Sequence, residues 1–100
     1  MLDLARIVGF DLDEGNACKS AEKHGVSQEE AEQVFANWPL AILEDVAHSE
    51  SEPRLQALGQ TNAGRHLHVT FTLRAAETLI RIISARDMNR KERSRYDEEA

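Results

Sequence analysis

The chain has 100 residues, of which 41% are hydrophobic, and this length and composition predict a single folded domain, residues 1–100. It has no run of about 18 apolar residues, no secretory signal at its start and one cysteine, Cys18, so we expect a cytoplasmic protein without a disulfide framework. The net charge of −6 excludes a uniformly basic surface, but eight of the 12 Lys and Arg residues fall within residues 65–96, which favours an anion or an acidic partner there.

The N-terminal part of the chain predicts a strand followed by a helix. The strand is Ile7–Asp11, a short β-branched and aromatic segment that ends at a group of acidic residues. Asp11 or Asp13 then caps a helix that runs to about His24. Gly25 ends this helix, because glycine readily adopts the left-handed conformation that closes helices.

A second helix is predicted from Ser27 to about Asn37. Ser27 and Glu30 have the spacing of a capping box, in which each side chain binds a backbone donor that the first turn leaves free. Apolar residues at helical spacing give this helix one buried face. Pro39 prevents its continuation, because proline cannot donate the backbone hydrogen bond that a helix interior needs.

The rest of the chain predicts strands and one more helix. The predicted strands are Leu40–Asp45, Arg54–Gln60, Arg65–Thr72 and Thr78–Ser84. In the third of these, apolar residues alternate with polar ones, which predicts one face on the core. The fourth is apolar on both faces apart from Arg81, which indicates a central position in the sheet. Asn89 and Glu92 repeat the capping-box spacing and open a short polar C-terminal helix.

This order of elements predicts the fold class. Strands that follow helices, joined by short turns, are typical of an α+β domain. We therefore expect a largely antiparallel sheet of four to five strands, with two N-terminal helices and a short C-terminal helix.

Arg81 is the first candidate functional residue. A guanidinium within an apolar strand is costly unless it meets a carboxylate, meets a ligand phosphate or emerges at an edge. A structural ion pair is one interpretation, and a phosphate-binding arginine is the other, with Arg54, Arg65 and Arg86 as neighbouring cations. Arginine suits phosphate because its planar fork binds two oxygens and stays charged.

Two other pairs have both a structural and a chemical interpretation. Lys23 and His24 fit the last turn of a helix, but a histidine that titrates near neutrality can also act as a general acid or base. Glu52 and Arg54 fit an exposed salt bridge, or a base beside an electrostatic stabiliser.

His66 and His68 share one face of a predicted strand. Two ligands without a third are a weak signal for a metal, so solvated or RNA-facing histidines are the preferred interpretation. The sequence has no phosphate-binding glycine loop, nucleophile elbow or zinc spacing, so we expect neither a cofactor nor a metal.

Several of these segments occur in an order that resembles one protein family. The segments are Phe10-Asp11-x-Asp13-Glu14, Lys23-His24-Gly25-Val26-Ser27, Glu30-Ala31 with Val34-Phe35, Glu52-x-Arg54 with Gly59, and Arg81-Ile82-Ile83-Ser84-Ala85-Arg86 with Glu92-Arg93 and Tyr96. Together they resemble the BrnT family of ribonuclease toxins from bacterial toxin–antitoxin operons, over roughly residues 10–96.

The resemblance implies a RelE-like α+β fold and an RNA-cleaving activity that halts translation. It also implies neutralisation by a BrnA-type antitoxin with a ribbon-helix-helix part, in a complex that binds operator DNA. The chain departs from the family pattern at Asn16, Ser20, Phe71 and Asp87. Each departure removes a cation or a polar group, so we expect activity to be weaker than in typical members.

The residues and the resemblance agree with RNA cleavage that needs no metal. The 2′-hydroxyl attacks the adjacent phosphorus and leaves a 2′,3′-cyclic phosphate, which requires a base, an acid and fixed positive charge. In this hypothesis the phosphate is stabilised by Arg54, Arg65, Arg81 and Arg86. His24 or Glu52 moves the protons, and Lys23 helps by its charge. The alternatives are a weakened toxin relative or unrelated module that binds nucleic acid or protein, and a small-molecule enzyme that uses the two histidines.

Overall fold

A computed structural model describes residues 6–11, 25–44, 54–74 and 78–99 of the chain. These ranges contain five strands and two helices. The first strand has two residues, and every other element has four or more. The elements in chain order are β1 (Gly9–Phe10), α1 (Gln28–Ala36), β2 (Ala41–Glu44), β3 (Leu55–Gln60), β4 (His66–Arg74), β5 (Leu79–Asp87) and α2 (Arg90–Glu99). The predicted helix that ends at His24 lies outside the described residues.

The five strands form one mixed sheet in the order β1-β5-β4-β3-β2. Strands β2 to β5 pair antiparallel with their neighbours, while β1 runs parallel to β5. This arrangement confirms the α+β class and puts β5 between two other strands, as its apolar sequence predicts. The parallel pair is the exception to the antiparallel pattern.

Two strands extend beyond their predicted ends. β4 continues to Arg74 and β5 continues to Asp87, where the sequence predicts ends at Thr72 and Ser84. The two strands pair with each other from Leu67 to Arg74, and this pairing overrides the polar composition of their ends. A register irregularity at Thr70/Phe71 interrupts the ladder without ending it.

Helix α1 covers one face of the sheet, here called the helix face. Ser27 caps the helix and forms both hydrogen bonds of the predicted capping box with Glu30. The core on this face joins the apolar side of α1 to alternate residues of β3, β4 and β5, including Val26, Ala31, Val34, Val69, Phe71 and Ile82. The ring of Phe35 packs edge to face with the rings of Phe10 and Phe71.

Gly59 allows α1 to approach β3 closely. A Cβ atom at this position would lie 2.7 Å from Cγ1 of Val34. Gly25 has a different role, because its φ of +64° is the left-handed conformation predicted for it. Gly59 therefore serves the contact between the second half of α1 and β3, and Gly25 serves the turn before α1.

The C-terminal helix α2 covers one end of the opposite face. Asn89 and Glu92 form the second predicted capping box. Tyr96 is 2% exposed and packs with Ala41 and Leu58. The interpretation of the two β4 histidines as solvated is wrong for His68, which is 6% exposed, and Thr72 on the same face is buried too. Neither described helix is long and apolar enough to cross a membrane.

Candidate active site

The structure describes four of the seven candidate site residues. These four are Arg54, Arg65, Arg81 and Arg86. Lys23, His24 and Glu52 lie outside the described residues, so their roles stay predictions from the sequence.

Arg54 and Arg81 lie in the same register across the sheet, on the face opposite α1. Thr72 of β4 pairs with Arg81 of β5. On the other side of β4, Leu55 pairs with Phe71, so Arg54 follows the same register to lie beside Thr72. The two arginines therefore flank one threonine, whose exposed fraction is 1%.

Further polar residues continue this part of the sheet. Gln56, Thr70 and Ser84 form the next row across β3, β4 and β5. Their hydroxyl and amide groups can donate hydrogen bonds to an anion. The row between the arginines and α2 is therefore polar, in contrast to the apolar helix face.

Arg74 belongs to the same surface, and the sequence analysis missed it. It pairs with Leu79 at the end of β4, two residues beyond Thr72. The side chain is half-buried, and its Nε atom is fully buried, as is Nε of Arg81. The alternation of β4 continued beyond Thr72 would have found it. We call the surface formed by Arg54, Arg74, Arg81 and Arg86 the arginine face.

Arg86 lies at the α2 end of the arginine face, where it is bound by Glu92. Its Nη1 and Nη2 atoms donate to the two carboxylate oxygens of Glu92 at 2.7 and 2.8 Å. The hydrogen bonds to Glu92 raise the pKa of Arg86, against the effect of burial. His68 approaches the same carboxylate, with Nε2 3.5 Å from Oε2 of Glu92.

Burial would raise the pKa of Glu92, but hydrogen bonds outweigh it. The Arg86 guanidinium and the backbone N–H of Asn89 both donate to this carboxylate, so its pKa lies below its usual value. Glu92 thus joins the first turn of α2 to β5, and a phosphate that binds the Nη1 and Nη2 pair of Arg86 must displace this carboxylate.

Arg65 lies on the helix face, away from the other three arginines. It directly precedes β4 and bonds to groups from three other parts of the chain, namely Asp87, Glu30 and the Gly25 carbonyl. Its hydrogen bonds, first of all those to Asp87, raise its pKa well above the usual value. The expected group of four arginines is therefore divided between the two faces of the sheet.

The two histidines of β4 contact residues of α2. The ring of His66 packs edge to face on Tyr96 with a centroid distance of 5.6 Å, and His68 lies beside Glu92. Across the described ranges, no three His, Cys, Asp or Glu side chains come together in a way that could hold a metal ion.

Comparison with known proteins decides the family. The model of a family described as the ribonuclease toxin, BrnT, of type II toxin–antitoxin systems matches residues 12–92. The chain belongs to the BrnT family. Membership implies an RNA target and an antitoxin partner, as the resemblance in the sequence analysis predicts.

A solved BrnT structure has the same fold. The crystal structure of the Brucella abortus ribonuclease toxin BrnT matches with a TM-score of 0.62 over 82% of this chain and 97% of that chain, at 19% sequence identity. No curated protein matches the chain. The five-stranded mixed sheet with α1 and α2 is therefore a BrnT fold.

Proposed function

We propose that this BrnT-family chain is an endoribonuclease that cleaves RNA at the arginine face without a metal ion. The observation that carries the proposal is the placement of Arg54 and Arg81 on either side of Thr72. Two strand spacings separate them, which is about 10 Å. Two long arginine side chains across such a distance can converge on one phosphate.

Fixed positive charge at this point suits the chemistry of RNA cleavage. Attack of the 2′-hydroxyl on phosphorus places additional negative charge on the phosphate oxygens in the transition state. Arg54 and Arg81 would bind those oxygens, and Arg74 would extend the positive surface along the RNA backbone. Loss of one such contact raises the barrier by roughly 3 kcal/mol, or about a hundredfold in rate.

The proton transfers keep the assignment that the sequence analysis makes as a hypothesis. His24 or Glu52 takes the proton of the 2′-hydroxyl and returns one to the leaving 5′-oxygen, and Lys23 assists by its charge. Glu52 stands two residues before Arg54 in the chain, which supports its assignment to the same site.

The remaining parts of the proposal concern the partner and the cell. We assign inhibition of translation to the RNA cleavage. The antitoxin would be of the BrnA type, with a ribbon-helix-helix part, and the complex would bind operator DNA. A RelE-like ancestry of the fold and a cytoplasmic location belong to the same proposal.

Weakened catalysis, with RNA or protein binding as the main activity, is the second candidate. Two of the four predicted phosphate-binding arginines already bind carboxylates with two nitrogen atoms each: Arg65 binds Asp87 and Arg86 binds Glu92. In each pair the carboxylate competes with RNA phosphate for the guanidinium, which favours reduced activity.

Cleavage of RNA by the purified, antitoxin-free chain in excess EDTA tests the proposal. We expect 2′,3′-cyclic phosphate ends from the unmodified chain, and about a hundredfold lower rate from Arg81→Gln or Arg54→Gln. Arg93→Gln is the matched control, because the Arg93 side chain is 52% exposed on α2, where it forms an ion pair with Asp97. Intact RNA that still binds the chain would support the second candidate.

The melting temperatures of both variants separate a catalytic from a structural role. A variant that melts like the unmodified chain but does not cleave places its arginine in the site. If Arg81→Gln does not fold, and Arg54→Gln folds and cleaves at the normal rate, Arg81 is a structural ion-pair residue and the arginine face is not the site.

A further inference from the structure

We propose that Arg86 marks a second phosphate subsite for RNA on the arginine face, and that Glu92 occupies this subsite as an internal competitor. The inference rests on the proposed function, because it takes RNA to bind the arginine face. It goes beyond that function in two respects. It separates Arg86 from the place of cleavage, and it gives helix α2 a role in limiting the binding of RNA.

Arg86 lies on the same face of the sheet as Arg81 but at the opposite end of β5. Arg81 pairs with Thr72 and Arg86 pairs with His68, so four residues of β4 separate the two rows. At about 3.3 Å per residue, this separation is about 13 Å. The guanidinium of Arg86 binds α2, at the end of the face away from Arg81. Arg86 is therefore placed to bind a different phosphate from the one that is cleaved.

Hydroxyl groups line the surface between these two arginines. Thr70 and Ser84 pair with each other in the row between Arg81 and Arg86. Both residues are partly exposed, and hydroxyl groups can donate hydrogen bonds to phosphate oxygens. A single strand that is bound at Arg81 can therefore continue over these hydroxyl groups to Arg86.

Glu92 binds Arg86 in the way that a phosphate would. The Nη1 and Nη2 atoms donate to the two carboxylate oxygens at 2.7 and 2.8 Å. Two parallel hydrogen bonds from one guanidinium are also the arrangement in which arginine binds phosphate. The Arg86 side chain is 37% exposed, so RNA can reach it. The carboxylate and an RNA phosphate therefore compete for the same two nitrogen atoms.

This exchange of partners does not require α2 to leave the sheet. The hydroxyl of Tyr96 donates to the carbonyl oxygen of Pro39 at 2.6 Å and accepts from Nε2 of Gln60 at 3.2 Å. Tyr96 is also 2% exposed, so its ring holds α2 on the sheet independently of the ion pair. Arg86 can therefore turn from Glu92 to a phosphate while α2 stays in place.

The experiment measures the affinity of Glu92→Gln for single-stranded RNA of about ten nucleotides. The RNA carries 2′-O-methyl groups, so that it lacks the attacking hydroxyl and is not cleaved. Glutamine keeps the length of the side chain but removes the charge that holds Arg86. We expect a Kd about tenfold lower than that of the unmodified chain. A plot of log affinity against log salt concentration should steepen by about 0.7, which is one additional phosphate contact.

Two further variants decide whether this gain comes from Arg86. Glu98→Gln removes the same charge from an exposed position of α2 and should change neither the Kd nor the slope. In a chain that already carries Arg86→Gln, Glu92→Gln should add no affinity, because no guanidinium remains to be freed. An equal gain with and without Arg86 would show simple relief of repulsion between Glu92 and RNA, and would overturn the inference.

Glu92→Asp tests the inference if Glu92→Gln does not fold. Aspartate keeps the charge, but its shorter side chain does not reach both Nη atoms of Arg86 from the same backbone position. We expect a Kd about threefold lower than that of the unmodified chain. Melting temperatures show which variants are folded, and an unchanged Kd in a folded variant contradicts the inference.

Cleavage kinetics separate failure of this inference from failure of the proposed function. With cleavable RNA, Glu92→Gln should lower KM about tenfold and change kcat by less than about twofold, because Arg86 does not bind the cleaved phosphate. If the unmodified chain cleaves no RNA, the proposed function fails, but a gain in binding that depends on Arg86 still supports the subsite. If neither the unmodified chain nor Glu92→Gln binds RNA, the subsite is wrong.

Discussion

Glu92 combines three roles in one carboxylate. It accepts from Arg86, closes the capping box of Asn89 and lies beside His68. Because its pKa in the folded chain is below the usual value, the unfolded chain binds a proton more readily than the folded chain. The stabilisation is therefore complete above the ordinary pKa of a glutamate, near 4.5, and is lost as the pH falls through the lower folded value.

This linkage predicts the pH dependence of unfolding in Glu92→Gln. At pH 7 we expect the variant to be less stable than the unmodified chain by about 2 kcal/mol, since a hydrogen-bonded charged partner is lost. The difference should shrink as the pH falls below 4.5, where the unmodified chain loses the same contribution. Urea unfolding across this range measures it. Glu98→Gln, an exposed substitution on the same helix, is the control, and a difference that does not depend on pH would contradict the prediction.

Helix α1 packs against β3 at a position that has room for a glycine alone. In Gly59→Ala, the new methyl group would lie 2.7 Å from Val34, and Leu40 is also close at 3.4 Å. We expect a loss of about 1–3 kcal/mol in the free energy of unfolding, the usual cost of overpacking a core. Thermal or urea unfolding measures this loss.

Gly9→Ala is the control for Gly59→Ala. The nearest atom to a Cβ at Gly9 is 3.7 Å away, in Leu79, which is an ordinary contact distance. We therefore expect a much smaller loss there. Equal losses at the two positions would show that the close approach of α1 to β3 does not limit the packing.

Positive charge is concentrated on one face of a molecule whose net charge is negative. The chain has a net charge of −6, yet one face of the sheet carries Arg54, Arg74, Arg81 and Arg86. Such a local positive surface can bind RNA, because phosphate contacts release counterions in proportion to their number. The same surface would repel the basic partners that the rest of the molecule attracts.

Salt dependence of RNA binding tests this separation. With about three phosphate contacts to single-stranded RNA, a plot of log affinity against log salt concentration should have a slope of about −2. A fourfold increase in salt then weakens binding roughly 16-fold. Arg74→Gln should reduce the slope by about 0.7, and Arg93→Gln should leave it unchanged. Equal effects of the two substitutions would place the RNA elsewhere on the molecule.

The sequence by itself determined the features that depend on residues close together in the chain. Both capping boxes, the left-handed Gly25 and the alternation of β4 were predicted, because each depends on contacts within about four residues or on a backbone preference. The order of the motifs also identified the family, which the comparison confirmed.

Only the tertiary structure decided which functional residues come together. Arg65 and Arg81 look alike in the sequence, but the register of β4 places Arg65 beside Glu30, 35 residues earlier, and Arg81 on the other face of the sheet. The parallel pairing of β1 with β5 likewise joins distant segments. A side chain's face depends on strand register and order, which arise from packing between distant parts of the chain and therefore leave no local pattern to read.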